Sequence, residues 1–110
     1  MAYDEQLADR LRDMVSGEPG VTEKKMFGGL AFLVGGHLAV GASSQGDLMV
    51  RVDPERTVEL LAEPHAAPFV MRGREMSGWL RVDTAGLGSE AELRRWTDLG
   101  VAYARSLPPR

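Results

Sequence analysis

The feature that most limits what this chain can fold into is the apolar stretch Lys24–Val52, KKMFGGLAFLVGGHLAVGASSQGDLMVRV. Two runs rich in β-formers, Leu30–Val34 and His37–Ala42, flank the pair Gly35-Gly36, and a third run, Leu48–Val52, follows the small polar segment Ser43–Asp47. A glycine pair between two such runs tolerates the positive φ angles that a two-residue hairpin turn requires. The middle of the chain is therefore expected to be a β-meander. A two-residue turn at Gly35-Gly36 pairs Val34 with His37, Leu33 with Leu38, Phe32 with Ala39 and Ala31 with Val40. Because paired residues share a face, Leu33, Leu38 and Val40 are expected on one side, the core face because it carries no charge, and Phe32, Val34 and His37 on the other.

The flanking segments read as helices and further strands. In Asp4–Val15, Leu7, Leu11, Met14 and Val15 recur at helical spacing behind a capping Asp4, and Gly17 with Pro19 ends the run. Val21–Phe27 reads as a strand running into Gly28-Gly29, where the sequence allows either a turn or a bulge in one long bent strand. Asp53-Pro54 opens a short helix expected to turn Val58, Leu61 and Ala62 inward. Pro64–Pro68 reads as a rigid connector, and Phe69–Met71 and Gly78–Val82 as a second strand pair around Gly73-Arg74. Ser89 and Glu92 form a capping box for a last helix with Leu93, Trp96, Tyr103 and Leu107 as its apolar stripe. The order α-β-β-β-α-β-β-α predicts one α+β domain over residues 1–110, an antiparallel sheet with helices packed on its apolar face.

Composition narrows the function classes. The chain has 110 residues, no cysteine and a formal net charge of −3. Disulfides, thiolate catalysis and sulfur-ligated zinc are excluded, and a generic polyanion binder is disfavoured. Met1–Arg12 lacks the apolar core of a signal peptide, and no apolar run approaches the roughly 18–20 residues of a membrane span, so a cytoplasmic location is expected. The charge is uneven: residues 24–52 carry three basic and one acidic side chain, whereas residues 1–23 carry two and six.

The motifs that suggest chemistry read better as structure. Gly28–Gly36 opens a strand and lacks the Gly-Lys-Ser/Thr ending of a phosphate loop. Ser43 and Ser44 sit between two strands, not on a strand-to-helix elbow. His37 and His65 are too few for a metal site, and Glu55 and Glu59 lie one turn apart on a solvated helix face. No catalytic residue, metal or cofactor is expected. What remains is the second sheet face, to which the alternation assigns Lys25, Phe32, Met49, Arg51, Trp79 and Arg81. Arginine, methionine and aromatic residues are the types enriched in protein interfaces, so an unknown protein partner is expected there. A homodimer would use the same face, and single-stranded nucleic acid is the alternative partner. A small ligand or substrate held near His37, His65 and Arg74 is the further alternative.

Three stretches taken together resemble one family. They are Lys25-Met26-Phe27-Gly28-Gly29, Gly73-Arg74 followed by Met76 and Gly78-Trp79, and Tyr103-Ala104-Arg105-Ser106-Leu107-Pro108. With Pro64-His65 and the central hairpin, they resemble the N-terminal domain of the TfoX/Sxy family of bacterial competence regulators. The resemblance implies an α+β domain of the kind also seen in secretion chaperones. It also implies a non-enzymatic regulator, since the family's founders promote expression of DNA-uptake genes alongside a cyclic-AMP receptor protein. Those founders carry a second, C-terminal domain, whereas this chain stops at Arg110, so a stand-alone domain is expected. The resemblance transfers no catalytic residue: Phe27, Gly28, Gly29, Gly78 and Trp79 are turn and packing types.

Overall fold

The computed structural model describes residues 3–109. Six strands form one antiparallel sheet: β1 (Val21–Met26), β2 (Gly29–Val34), β3 (His37–Ala42), β4 (Leu48–Arg51), β5 (Ala66–Met71) and β6 (Arg74–Val82). Their spatial order is β1-β2-β3-β4-β6-β5. Helices α1 (Glu5–Val15), α2 (Thr57–Leu61) and α3 (Glu90–Ser106) complete the α+β domain. All three contribute to the same core as the sheet: Leu7 and Leu11 of α1, Leu60 of α2, and Leu93, Trp96 and Val101 of α3 pack with Val50, Leu80 and Val82. The expected class is thus the observed one, with the helices gathered on one side of the sheet.

Local chemistry sets the boundaries. Asp4 Oδ1 accepts from the Gln6 and Leu7 amides at 2.9 and 3.2 Å, Asp53 Oδ1 from the Glu55 amide at 2.9 Å, and Ser89 Oγ from the Glu92 amide at 3.1 Å. Each expected helix-start signal therefore caps a helical turn. The open choice at Gly28-Gly29 resolves as a turn, one residue earlier: Phe27 (φ 53°) and Gly28 (φ 77°) are its two central residues, and β1 ends at Met26. Arg72 (φ 54°) and Gly73 (φ 76°) make the same reversal between β5 and β6.

Three expectations are corrected. The hairpin register holds at Val34–His37 and Leu33–Leu38 but then shifts, so that Phe32 pairs with Val40 and Ala31 with Gly41. Ala39 is the extra residue of a bulge, and both Ala39 and Val40 join the helix-side core. Phe32, opposite Val40, and Val34 lie on that side too, whereas Leu33 and Leu38, expected on the core face, lie on the other with Ala31. The second correction concerns the helix after Pro54. A 3-10 turn over Pro54–Arg56 precedes α2 and changes its phase. Thr57 and Leu60 are buried while Val58 is 82% exposed, and Thr57 Oγ1 accepts from the Gly78 amide at 3.0 Å. Third, most of the expected connector is strand: β5 begins at Ala66, and Pro68 is accommodated because β5 is an edge strand with one row of amides unpaired.

Along α3 the inward stripe runs Leu93, Trp96, Thr97, Gly100, Val101 and Ala104. Tyr103 and Leu107, expected within it, are half-buried at its flank. On α1, Arg12 donates to Glu23 of β1 through Nε at 2.7 Å and a terminal nitrogen at 2.9 Å. This paired hydrogen bonding holds the Glu23 carboxyl below the usual carboxylate range. The pair also fixes the sense of β1: Glu23 points to the helix side.

Candidate functional site: the open face of the sheet

With the helices on one side, the opposite face of the sheet is left open, and strand alternation decides which side chains stand on it. On β4 and β6, Leu48, Val50, Leu80 and Val82 enter the helix-side core. Met49, Arg51, Trp79 and Arg81 are therefore on the open face, as expected. The ladder pairs Met49 with Arg81 and Arg51 with Trp79.

The other two residues assigned to this face are not on it. Phe32 is 1% exposed within the helix-side core, moved there by the bulge at Ala39. Lys25 pairs with Leu30, itself a core residue on the helix side, whereas Lys24 pairs with Ala31 of the open-face cluster. The cation that β1 gives the open face is thus Lys24.

The face has a ridge that the sequence reading missed. Phe27, Phe69 and Trp79 meet edge-on or tilted, with ring centroids 5.8–6.0 Å apart. Edge-to-face contacts of this kind contribute about 0.5–1.5 kcal/mol each beyond area burial. Phe27 is nevertheless 44% exposed, and it occupies a left-handed backbone conformation that bulky residues rarely adopt. Such a conformation costs about 1–3 kcal/mol and persists where its surroundings enforce it. The hairpin β1–β2 thereby folds an aromatic side chain over the sheet. The signal that could have found it is the turn itself: centring the reversal on Phe27-Gly28 puts Met26 opposite Gly29 and Lys24 opposite Ala31.

The cations on the face differ in kind. Arg81 donates to Asp47 Oδ2 from Nε and a terminal nitrogen, each at 2.6 Å. Asp47 Oδ1 also accepts from the Ser43 hydroxyl, whose oxygen accepts from the Gln45 amide. Arg81 is thereby neutralised, and the Ser43–Asp47 segment is a closed turn rather than a nucleophile site. Met49 is 1% exposed and forms a floor beneath this network. Arg51 is different: its guanidinium carbon lies 5.0 Å from the Trp79 ring and 5.5 Å from the Tyr103 ring, and it forms no ion pair among the described residues.

The two histidines do not form a common site. His37 Nε2 lies 2.6 Å from the Pro108 carbonyl, which can only accept, so this nitrogen carries the proton. His65 adopts φ 69° and packs its ring against Gly86 at the far end of β5. The pocket that includes His37 is lined by neither His65 nor Arg74. Among the described residues, no group of three or more His, Cys, Asp or Glu side chains is placed to hold a metal ion, and no helix is long and apolar enough to cross a membrane.

Comparison with known proteins adds one finding. The profile of the TfoX N-terminal domain matches residues 13–104. No curated protein and no solved structure matches the chain.

Proposed function

The chain belongs to the TfoX N-terminal domain family, and from that premise we propose that it is a non-enzymatic interaction module whose open sheet face receives a partner protein. The observation that carries this reading is the exposed Phe27, resting on half-buried Trp79 and buried Phe69 beside Arg51, which has no ion pair among the described residues, on the one sheet face that no helix covers. Aromatic and arginine side chains supply most interface hot spots. A non-catalytic role is supported by the engagement of the nearby polar groups: Ser43 with Asp47, and His37 with the Pro108 carbonyl. Control of gene expression through such a contact, in the manner of the competence regulators that the sequence resembles, is the process we attach to it.

The test is capture of partners from a lysate of the source organism by immobilised wild-type and Arg51→Glu domains. Charge reversal is expected to remove the captured partner while the far-ultraviolet spectrum is unchanged. Arg81 is not the residue to reverse, since a second carboxylate beside Asp47 would break the turn. A parallel titration with a single-stranded oligonucleotide at low and moderate salt addresses the alternative partner. Tight binding that falls steeply with salt would replace the protein-partner reading with a nucleic-acid one.

A further inference from the structure

The aromatic ridge separates two small pockets of opposite character. The one toward Ser43 and Arg81, about 150 Å³, contains an arginine already neutralised by Asp47. The other, about 230 Å³, is walled by Phe27, Trp79, Leu33 and Leu38 and carries two cations, Lys24 and Arg51, with no acidic residue in its lining. Neither cation forms an ion pair among the described residues, as is also true of Arg10, Lys25, Arg72, Arg74 and Arg94, but these two share one pocket. Arg51 Nε is buried without a hydrogen-bond partner, a state that buried polar groups seldom keep. Its guanidinium carbon lies 5.0 Å from the Trp79 ring and 5.5 Å from the Tyr103 ring, and the planar fork of an arginine matches a carboxylate.

Size and walls then select among anions. The volume falls below the roughly 300–1,000 Å³ of sites for small molecules and cofactors, and suits one or two amino-acid side chains. Phe27, Trp79, Leu33 and Leu38 offer apolar contact to an aliphatic or aromatic group beside the two cations, and the net charge of −3 weighs against a polyanion. We propose that this pocket recognises an aspartate or glutamate of a partner polypeptide together with an adjacent large apolar side chain. The carboxylate meets Lys24 and the terminal nitrogens of Arg51, and the apolar group lies between the Phe27–Trp79 wall and the Leu33–Leu38 wall. This rests on the reading of the open face as a protein-docking surface and names what that surface selects.

The test is a titration of the isotopically labelled full chain, followed by amide and indole NMR shifts, with two capped peptides, acetyl-Ala-Asp-Phe-Ala-amide and its Asn counterpart. An oligothymidylate serves as the phosphate probe. The Asp peptide is expected to shift Lys24, Leu38, Arg51 and the Trp79 indole, and to bind at least tenfold more tightly than the Asn peptide. In Arg51→Gln that preference is expected to shrink to that supplied by Lys24, with the Asn peptide unaffected, so that the loss belongs to the charge contact and not to unfolding. Equal affinities of the wild-type chain for the two peptides, a preference undiminished in Arg51→Gln, or tighter binding of oligothymidylate at the same residues would overturn the inference. The two readings fail separately. No Asp preference in the wild-type chain, with partner capture still abolished by Arg51→Glu, sinks only the carboxylate assignment; capture that survives Arg51→Glu sinks the docking surface itself.

Discussion

Gly100→Ala is expected to lower the thermal midpoint by roughly 8–16 °C, although alanine is the better helix former. Gly100 lies on α3 where the helix crosses β3 at the bulge. A Cβ there would sit 2.3 Å from the Ala39 carbonyl oxygen, 2.9 Å from its carbon and 3.0 Å from Val40 Cγ1. The first two atoms are backbone and cannot rotate away, so α3 must lift from the sheet. Overpacking of a filled core costs about 1–3 kcal/mol, and more against rigid neighbours; the helical preference for alanine returns about 1 kcal/mol. A net loss near 2 kcal/mol gives the stated shift for a domain of this size. Gly88→Ala is the control, because nothing lies within 4 Å of its added Cβ; its midpoint should move by less than about 4 °C. Thermal melts of both variants check this, and a raised midpoint for Gly100→Ala would mean that α3 does not approach β3 as described.

Phe27→Asn separates folding from function. It converts the turn into Asn-Gly, the preferred pair for a reversal with two positive φ angles, and so relieves about 1 kcal/mol or more of backbone strain. It also removes two edge-on ring contacts of about 0.5–1.5 kcal/mol each. These effects nearly cancel, and the midpoint should stay within about 5 °C of wild type. Partner affinity should fall on the order of tenfold to a hundredfold, as for a central aromatic at an interface. A large drop in midpoint with affinity retained would make the ridge a packing feature only.

Much of this architecture was legible in the sequence, and the misses have specific causes. The caps at Asp4, Asp53 and Ser89 carry their own local chemistry, so the helix starts were readable. The alternation on β4 and β6 was readable because Leu48, Val50, Leu80 and Val82 are separated by polar or bulky residues. The faces of β2 and β3 were not, because nearly every residue there is apolar and period two has no contrast to act on. The bulge at Ala39, where α3 passes over β3 at Gly100, then reversed the expected side of Phe32, and period-two alternation contains no signal for an extra residue. Lys25 was misplaced for a related reason: the β1–β2 turn admitted two readings, and a shift of one residue exchanges Lys24 for Lys25. Phe27 escaped notice because a bulky residue is an improbable occupant of a left-handed turn position. Val58 was turned outward by the 3-10 turn at Pro54–Arg56, whose phase differs from that of an α-helix.

The adjacent lysines of β1 provide the most direct test of the claim that the open face is the interaction surface. Lys24→Glu and Lys25→Glu change the net charge equally and lie one residue apart, so long-range electrostatics and solubility are matched. Only the side of the sheet differs. With the captured partner in hand, affinity measured for both variants should fall by at least about tenfold for Lys24→Glu and stay within about twofold for Lys25→Glu. Equal losses, or a larger loss for Lys25→Glu, would contradict the assignment of the binding surface to the face that the helices leave uncovered.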